Sequence, residues 1–233
     1  MEPYLTYMVF AHHPVKAYSS TRAQPKLADF LRTVHVELPS VLLAEQVHGE
    51  EVATITEDFT PGLTEDKKYP GARMIKGVDA MITDLPGIAL IVRSADCVPV
   101  LIYDPVRKVV AAVHAGWGGI AAGIIKKTIQ KLEVNFNSKT GDMVFGLGPA
   151  IHACCYAVKD DVIGKVGEQY VRTQGGKKYI DLIKAAEDQI LKMNVRAKNI
   201  EILPQCSACT KELYSYRRDG KRAGRLFHMI SLI

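Results

Sequence analysis

The stretch Val98-Pro99-Val100-Leu101-Ile102-Tyr103-Asp104-Pro105-Val106-Arg107-Lys108-Val109-Val110-Ala111-Ala112-Val113-His114-Ala115-Gly116-Trp117-Gly118-Gly119 decides the fold class. Residues 98–103 and 109–114 are short apolar β-like runs, and Asp104-Pro105 between them is a turn signal. After the glycines the period changes. Ile120, Ile124, Ile125, Thr128, Ile129 and Leu132 fall on one face, with Lys126, Lys127 and Lys131 outside it, which predicts an amphipathic helix over 118–131. Two strands, a glycine bend and a helix form the centre of the chain.

Working outward, strands are predicted at 41–47, 51–56, 78–83 and 88–92, with His48-Gly49 as a tight bend joining the first two. Downstream come a strand at 143–147, a short one near 155–158, and helices at 160–172 and 181–193, the second capped by Asp181. Strands near 201–203, 213–217 and 226–231 close the chain, and residues 58–76, rich in turn formers and charges, read as a mobile surface loop. Strands cluster and helices arrive late, so the order is α+β rather than regular βαβ winding.

No repeat, linker or charge block divides the 233 residues, which are read as a single domain, 1–233, with 48% hydrophobic residues to fill a core. No apolar run approaches the ~20 residues that span a bilayer. The start, Met1-Glu2-Pro3-Tyr4, lacks a basic leader, so a cytoplasmic location without membrane partners is expected. Five cysteines, an odd number, point to reduced thiols or metal ligands. Residues 204–233 hold six Lys or Arg against two Asp or Glu, yet no aromatic RNA-binding module interleaves them, so no nucleic-acid partner is expected.

Reactive side chains sit where predicted strands end: Gln46-Val47-His48-Gly49, Ser94-Ala95-Asp96-Cys97-Val98-Pro99, and Ala112-Val113-His114-Ala115-Gly116-Trp117-Gly118-Gly119. A sheet can aim such residues into one shared cleft. Together with Gly148-Pro149-Ala150-Ile151, Cys154-Cys155-Tyr156 and Ser215-Tyr216-Arg217-Arg218-Asp219-Gly220, these motifs resemble the YfiH/YlmD family, also called the laccase-domain or multicopper polyphenol oxidoreductase family. The resemblance runs from about Leu43 to the C-terminus.

The resemblance implies a four-layer α/β/β/α sandwich and a metal site made of His48, Cys97 and His114. It also implies purine-nucleoside chemistry: phosphorolysis of adenosine, inosine or methylthioadenosine, and deamination of adenosine. Some members are linked to editing of peptidoglycan precursors. One thiolate and two imidazoles leave Zn²⁺ an open position, the pattern of catalytic zinc, where water acidifies towards a pKa of ~7. Catalysis is then expected from Asp96, Cys97 and His114, with Asp96 moving the proton.

Nucleoside and phosphate are the expected partners, bound by Gln46, Arg22, Gly116, Trp117, Arg217 and Arg218. Arginine forks and the N–H groups of the 116–119 turn both suit an anion. On a strand, Arg217 and Arg218 would face opposite ways, so one enters the cleft and the other forms an ion pair. Two positions depart from the family pattern. Gly118 stands where an Arg usually follows the Trp, and Ser20-Thr21-Arg22-Ala23-Gln24-Pro25 lacks the usual Gly-Gly.

Copper, and with it a phenol oxidase, is the alternative cofactor reading, since thiolate and imidazole also suit copper. Seven histidines are too few for a mononuclear copper plus a trinuclear cluster. A metal-independent hydrolase using Cys97 with His114 as base, and a binding scaffold without turnover, are further alternatives. Cys154-Cys155 read as small apolar packing residues, Cys206 and Cys209 as a reduced pair, and His152 as a residue near the cleft. The chain is expected to be a monomer or homodimer.

Overall fold

The central strands lack an exposed face, and that sets the architecture. Every residue of Val98–Asp104 and of Val109–Ala115 is buried, so both faces of their sheet must be covered. The computed structural model describes residues 2–57, 63–65 and 68–233. Among these the chain runs through β1 (Tyr4–Thr6), β2 (Val15–Ser20), α1 (Leu27–Thr33), β3 (Val41–Ala44), β4 (Val52–Ile55), β5 (Leu63–Glu65) and β6 (Arg73–Ile75). It continues with β7 (Ala80–Thr83), β8 (Ala89–Ser94), β9 (Val98–Asp104), β10 (Val109–Ala115), α2 (Trp117–Ala122), α3 (Ile124–Phe136) and β11 (Val144–Leu147). Then follow β12 (Ala157–Val158), α4 (Asp160–Val166), β13 (Val171–Gln174), β14 (Lys177–Ile180), α5 (Leu182–Lys192), β15 (Ile200–Ile202), α6 (Tyr216–Asp219) and β16 (Leu226–Leu232).

Two mixed sheets stack face to face. One has the order β1-β2-β16-β8-β3-β6-β5, the other β15-β11-β9-β10-β7-β4, and a small sheet β12-β14-β13 stands beside them. Strand alternation sorts the core. Leu101, Tyr103, Val110 and Ala112 point at Leu42, Leu90, Val92 and Ile230 of the facing sheet. Val98, Val100, Ile102, Val109, Ala111 and Val113 point outward, under α3 and α5. On the far side α1 sets Leu27, Phe30 and Leu31 against Leu43, Ile91, Phe227 and Met229. The result is the expected four-layer α/β/β/α sandwich.

Several sequence expectations need correction. The stretches 41–47 and 51–56 are not a hairpin: β3 runs parallel to β8 and β6 in one sheet, β4 parallel to β7 in the other, and residues 45–51 cross between layers. The helix expected at 118–131 is broken by Gly123, whose positive φ of 82° ends α2 and opens α3. The helix expected over 160–172 stops at Val166, because Gly167 (φ 122°) turns the chain into the β13–β14 hairpin. Within 58–76, residues 58–62 and 66–67 lie outside the described residues, whereas β5 and β6 are strands rather than loop. Residues 213–217 are not a strand either. Ser215 caps α6 by accepting from Arg218 N at 3.2 Å.

Candidate metal centre and its cleft

Three connections bring the site together. His48 lies on the crossover from β3 to β4, Cys97 on the link from β8 to β9, and His114 near the end of β10. Their ligand atoms all lie within 4.8 Å of one another. The two imidazoles meet edge to face, with centroids 4.9 Å apart and planes at 86°.

Asp79, just before β7 and fully buried, organises both histidines. Its Oδ1 accepts from His114 Nδ1 at 2.8 Å and from His48 N at 3.0 Å, while Oδ2 accepts from Gly49 N at 2.8 Å and Val47 N at 3.1 Å. The carboxylate thus fixes the His114 tautomer, leaving the Nε2 lone pair for the cluster. It also holds His48 in the left-handed region at φ 60°. Gly116 borders the cluster because a Cβ there would stand 3.2 Å from Cys97 Sγ and 3.4 Å from His48 Cδ2. Gly118 and Gly119 let α2 approach the crossover, since a Cβ on them would meet His48 O at 3.0 Å and Gly49 O at 2.9 Å.

Burial pushes the Cys97 thiol up, but hydrogen bonds to His114 and His48 outweigh it and bring the pKa down to about 6. Burial pushes His114 down, and its bonds to Asp79 and Cys97 reverse this, to about 9. One thiolate and two imidazoles, one of them oriented by a carboxylate, fit a tetrahedral zinc or a copper ion with a position left open.

The cluster lies in the lining of a cleft of about 560 Å³. Gln46, Ser94 and Asp96 line it, with cations Arg93, Arg217 and Arg225 and the rings of Trp117, Tyr156 and Tyr216. Burial, then the nearby Cys97, raises the Tyr156 phenol to about 12, so it is a neutral donor near pH 7. Gln46 is committed to backbone: its Nε2 donates to Arg93 O at 2.6 Å and its Oε1 accepts from Arg93 N at 2.8 Å. Asp96, at φ 104°, accepts from Ser207 Oγ at 2.7 Å and from Arg217 N at 2.6 Å.

Two expected anion ligands are placed elsewhere. Arg22 is not in the cleft lining; it donates to Asp219 Oδ2 at 2.6 Å and stacks on Tyr214 at 4.8 Å. Arg218 donates to the carbonyls of Ser207, Ala208, Thr210 and Leu213 and pairs with Asp219 at 2.9 Å. Only Arg217 of the adjacent pair reaches the cleft, though helical rather than strand geometry divides them.

His152 is also absent from the lining; its backbone N donates to Cys206 Sγ at 3.4 Å. Cys154, Cys155, Cys206 and Cys209 are not separate packing residues but a second convergent cluster. Asp79, Arg93, Tyr156 and Arg225 were missed by sequence reasoning. Local signals existed for two of them: Tyr156 ends the Cys154-Cys155-Tyr156 motif, and Asp79 is an acidic residue within the apolar run 78–83.

A family model described as multi-copper polyphenol oxidoreductase laccase matches residues 20–233. A purine nucleoside phosphorylase of Bacteroides thetaiotaomicron is 36% identical over 220 residues, 91% of this chain and 79% of that one. An adenosine deaminase, RL5, from an unknown prokaryotic organism is 33% identical over 202 residues, 82% of this chain and 75% of that one. The crystal structure of YlmD from Geobacillus stearothermophilus superposes with a TM-score of 0.87 at 25% identity, covering 99% of this chain and 96% of that one.

Proposed function

The chain belongs to the multi-copper polyphenol oxidoreductase laccase family, and we propose that it is a zinc-dependent enzyme of purine nucleosides, performing phosphorolysis and adenosine deamination. The observation that carries this reading is an open His48–Cys97–His114 cluster in a cleft lined by both aromatic rings and arginines. Rings suit a purine base and guanidinium groups suit phosphate. Relatives named for phosphorolysis and deamination support it.

His48, Cys97 and His114 would hold the metal, which supplies an electrophilic centre and acidifies water when bound. The chain's own groups do the rest. Asp79 keeps His114 Nε2 directed at the cluster. Arg217 and Arg225, both in the lining, receive the anion. Tyr156 donates a hydrogen bond from a phenol that stays protonated. Asp96 is assigned to proton transfer. Because both of its oxygens already accept hydrogen bonds, it begins as an acceptor, a general base. The reading includes a cytoplasmic protein acting on small molecules, as a monomer or homodimer. No helix among the described residues is long and apolar enough to cross a membrane.

A second reading has a specific observation behind it. A Cys97 thiolate beside a protonated His114 is also the resting state of a cysteine nucleophile with its base. Metal analysis of the protein beside Cys97→Ala, with adenosine and inosine turnover measured with and without phosphate, separates the two. Zinc and turnover lost together in the variant support the zinc enzyme, and phosphate dependence distinguishes phosphorolysis from deamination. Turnover by metal-free protein, stopped by iodoacetamide and protected by added zinc, overturns it in favour of the nucleophile.

A further inference from the structure

The four cysteines outside the cleft converge from two turns. Cys154 and Cys155 lie in a turn wrapped on His152 O, which accepts from Cys155 N at 2.9 Å and Tyr156 N at 3.0 Å. Cys206 and Cys209 lie in a C-x-x-C turn after β15. A parallel bridge between Ala150 and Cys206, with Ser207 N donating to Ala150 O at 2.9 Å, sets the two turns side by side. All four thiols are free and their sulfurs lie within 4.8 Å of one another.

The spacing has the scale of one ion. Cys154 Sγ is 3.7 Å from Cys155 Sγ and 3.6 Å from both Cys206 and Cys209, and Cys155 and Cys209 are 3.3 Å apart. A Zn–S bond of ~2.3 Å puts the edge of a ZnS₄ tetrahedron at ~3.8 Å, whereas a disulfide would need ~2.05 Å. Vicinal cysteines chelate poorly on a strand, where neighbours point apart. In this turn both reach Cys209, so adjacency is no obstacle.

We propose that Cys154, Cys155, Cys206 and Cys209 form a second, closed metal site that takes a single thiophilic divalent cation of the zinc class. Four protein ligands leave no open position, so the site is structural rather than catalytic. The surroundings of Cys206 suit the excess negative charge of thiolates around a divalent cation. Backbone N–H groups of His152, Ala208 and Cys209 bond to Cys206 Sγ. Arg218 Nη1 clasps the C-x-x-C turn through three carbonyls at 3.0–3.1 Å, and Arg217 Nη1 holds Cys155 O at 3.2 Å and Ala157 O at 2.8 Å.

The same turns position the cleft. Ser207, inside the C-x-x-C turn, and Arg217, tied to the Cys155 turn, are the two donors that hold Asp96. The ion therefore fixes a cleft wall that it does not touch.

The test measures zinc per chain in the wild type, Cys209→Ser, Cys154→Ser and Cys97→Ala. Cys209→Ser and Cys154→Ser should each hold about one equivalent less than the wild type. Cobalt added to Cys97→Ala should give the intense thiolate charge-transfer bands of a tetrahedral four-sulfur site, lost in the Cys97→Ala, Cys209→Ser double variant. The cobalt spectrum of Cys97→Ala decides the matter even where a serine variant fails to fold. Equal zinc in the wild type and Cys209→Ser overturns the proposal, as does Cys97→Ala without the sulfur bands, or a native mass showing a disulfide among these cysteines. Because Cys97→Ala lacks the cleft site, metal in that variant stands whether or not the wild type turns over nucleosides.

Discussion

The two sulfur clusters are built on opposite plans. His48, Cys97 and His114 are brought together by sheets: two ligands sit on crossovers between layers, one on a strand end, and a buried carboxylate orients two of the three. The four-cysteine cluster is brought together by turns, with backbone N–H groups and arginines around it and, among the described residues, no carboxylate hydrogen-bonded to its sulfurs. The first opens onto a cleft with one ligand too few for a tetrahedron; the second is complete. Rigid elements suit a site where ligand geometry must be kept while a position stays free. Turns suffice where four ligands enforce the geometry themselves.

The largest expected effect breaks the open cluster. Cys97→Ala should lower kcat/KM for adenosine by ~10³-fold or more, since Lewis-acid assistance is worth several kcal/mol. The fold should remain, because the thiol is held by side chains rather than by the core. A loss below tenfold would remove the cluster from catalysis.

Next is its supporting carboxylate. Asp79→Asn should weaken cleft metal affinity by ~10–100-fold, read by competition with a chromogenic chelator. The four-cysteine site should keep its affinity. Equal weakening at both would mean that Asp79 acts through the whole fold.

Cys209→Ser reverses the pattern, leaving cleft metal in place but lowering Tm. An ion present at ~100 times its Kd stabilises by about 2.7 kcal/mol, which for a chain of this length is roughly 5–10 °C. Differential scanning calorimetry with and without chelator checks it: the chelator should shift the wild type more than the variant.

An acid titration must not confuse the two clusters. Metal held at either cluster would be shed as its ligands protonate, but the scaffold has its own acid response. His228 is fully buried, its ring nitrogens each 2.7 Å from a serine, Ser19 and Ser94. Burial, then the charge of His114, pulls it from 6.5 down to about 3. The unfolded chain takes up this proton near pH 6.5 and the folded chain only near 3, so stability falls as pH drops between those values. The slope approaches ~1.4 kcal/mol per pH unit. In chelator-treated protein, urea unfolding of His228→Gln should show a flatter slope over that range.

Much of this was legible from local pattern. The central strands announced themselves because both faces are buried, giving unbroken apolar runs, and α5 because Asp181 caps it, its side chain accepting from Lys184 N. The three ligands were found by motif resemblance. What escaped depends on sequence-distant contact. The false hairpin at His48 arose because a bend and a crossover between layers look alike in one dimension. Strands β5 and β6 are three residues each and carry charges, too short for alternation to speak. Arg22 looked like an anion ligand until its partner Asp219, almost two hundred positions away, came into view. The cysteine turns are likewise more than fifty residues apart, so only a bridge between loops reveals them.

The crossovers that carry His48 and Cys97 have a mechanical consequence. Each joins the seven-stranded layer to the six-stranded one, and His114 belongs to the six-stranded layer alone. A cation gripped by all three would rivet the two layers at one end, across links that the backbone already makes. At the opposite end the layers are joined by backbone, through the link from β7 to β8.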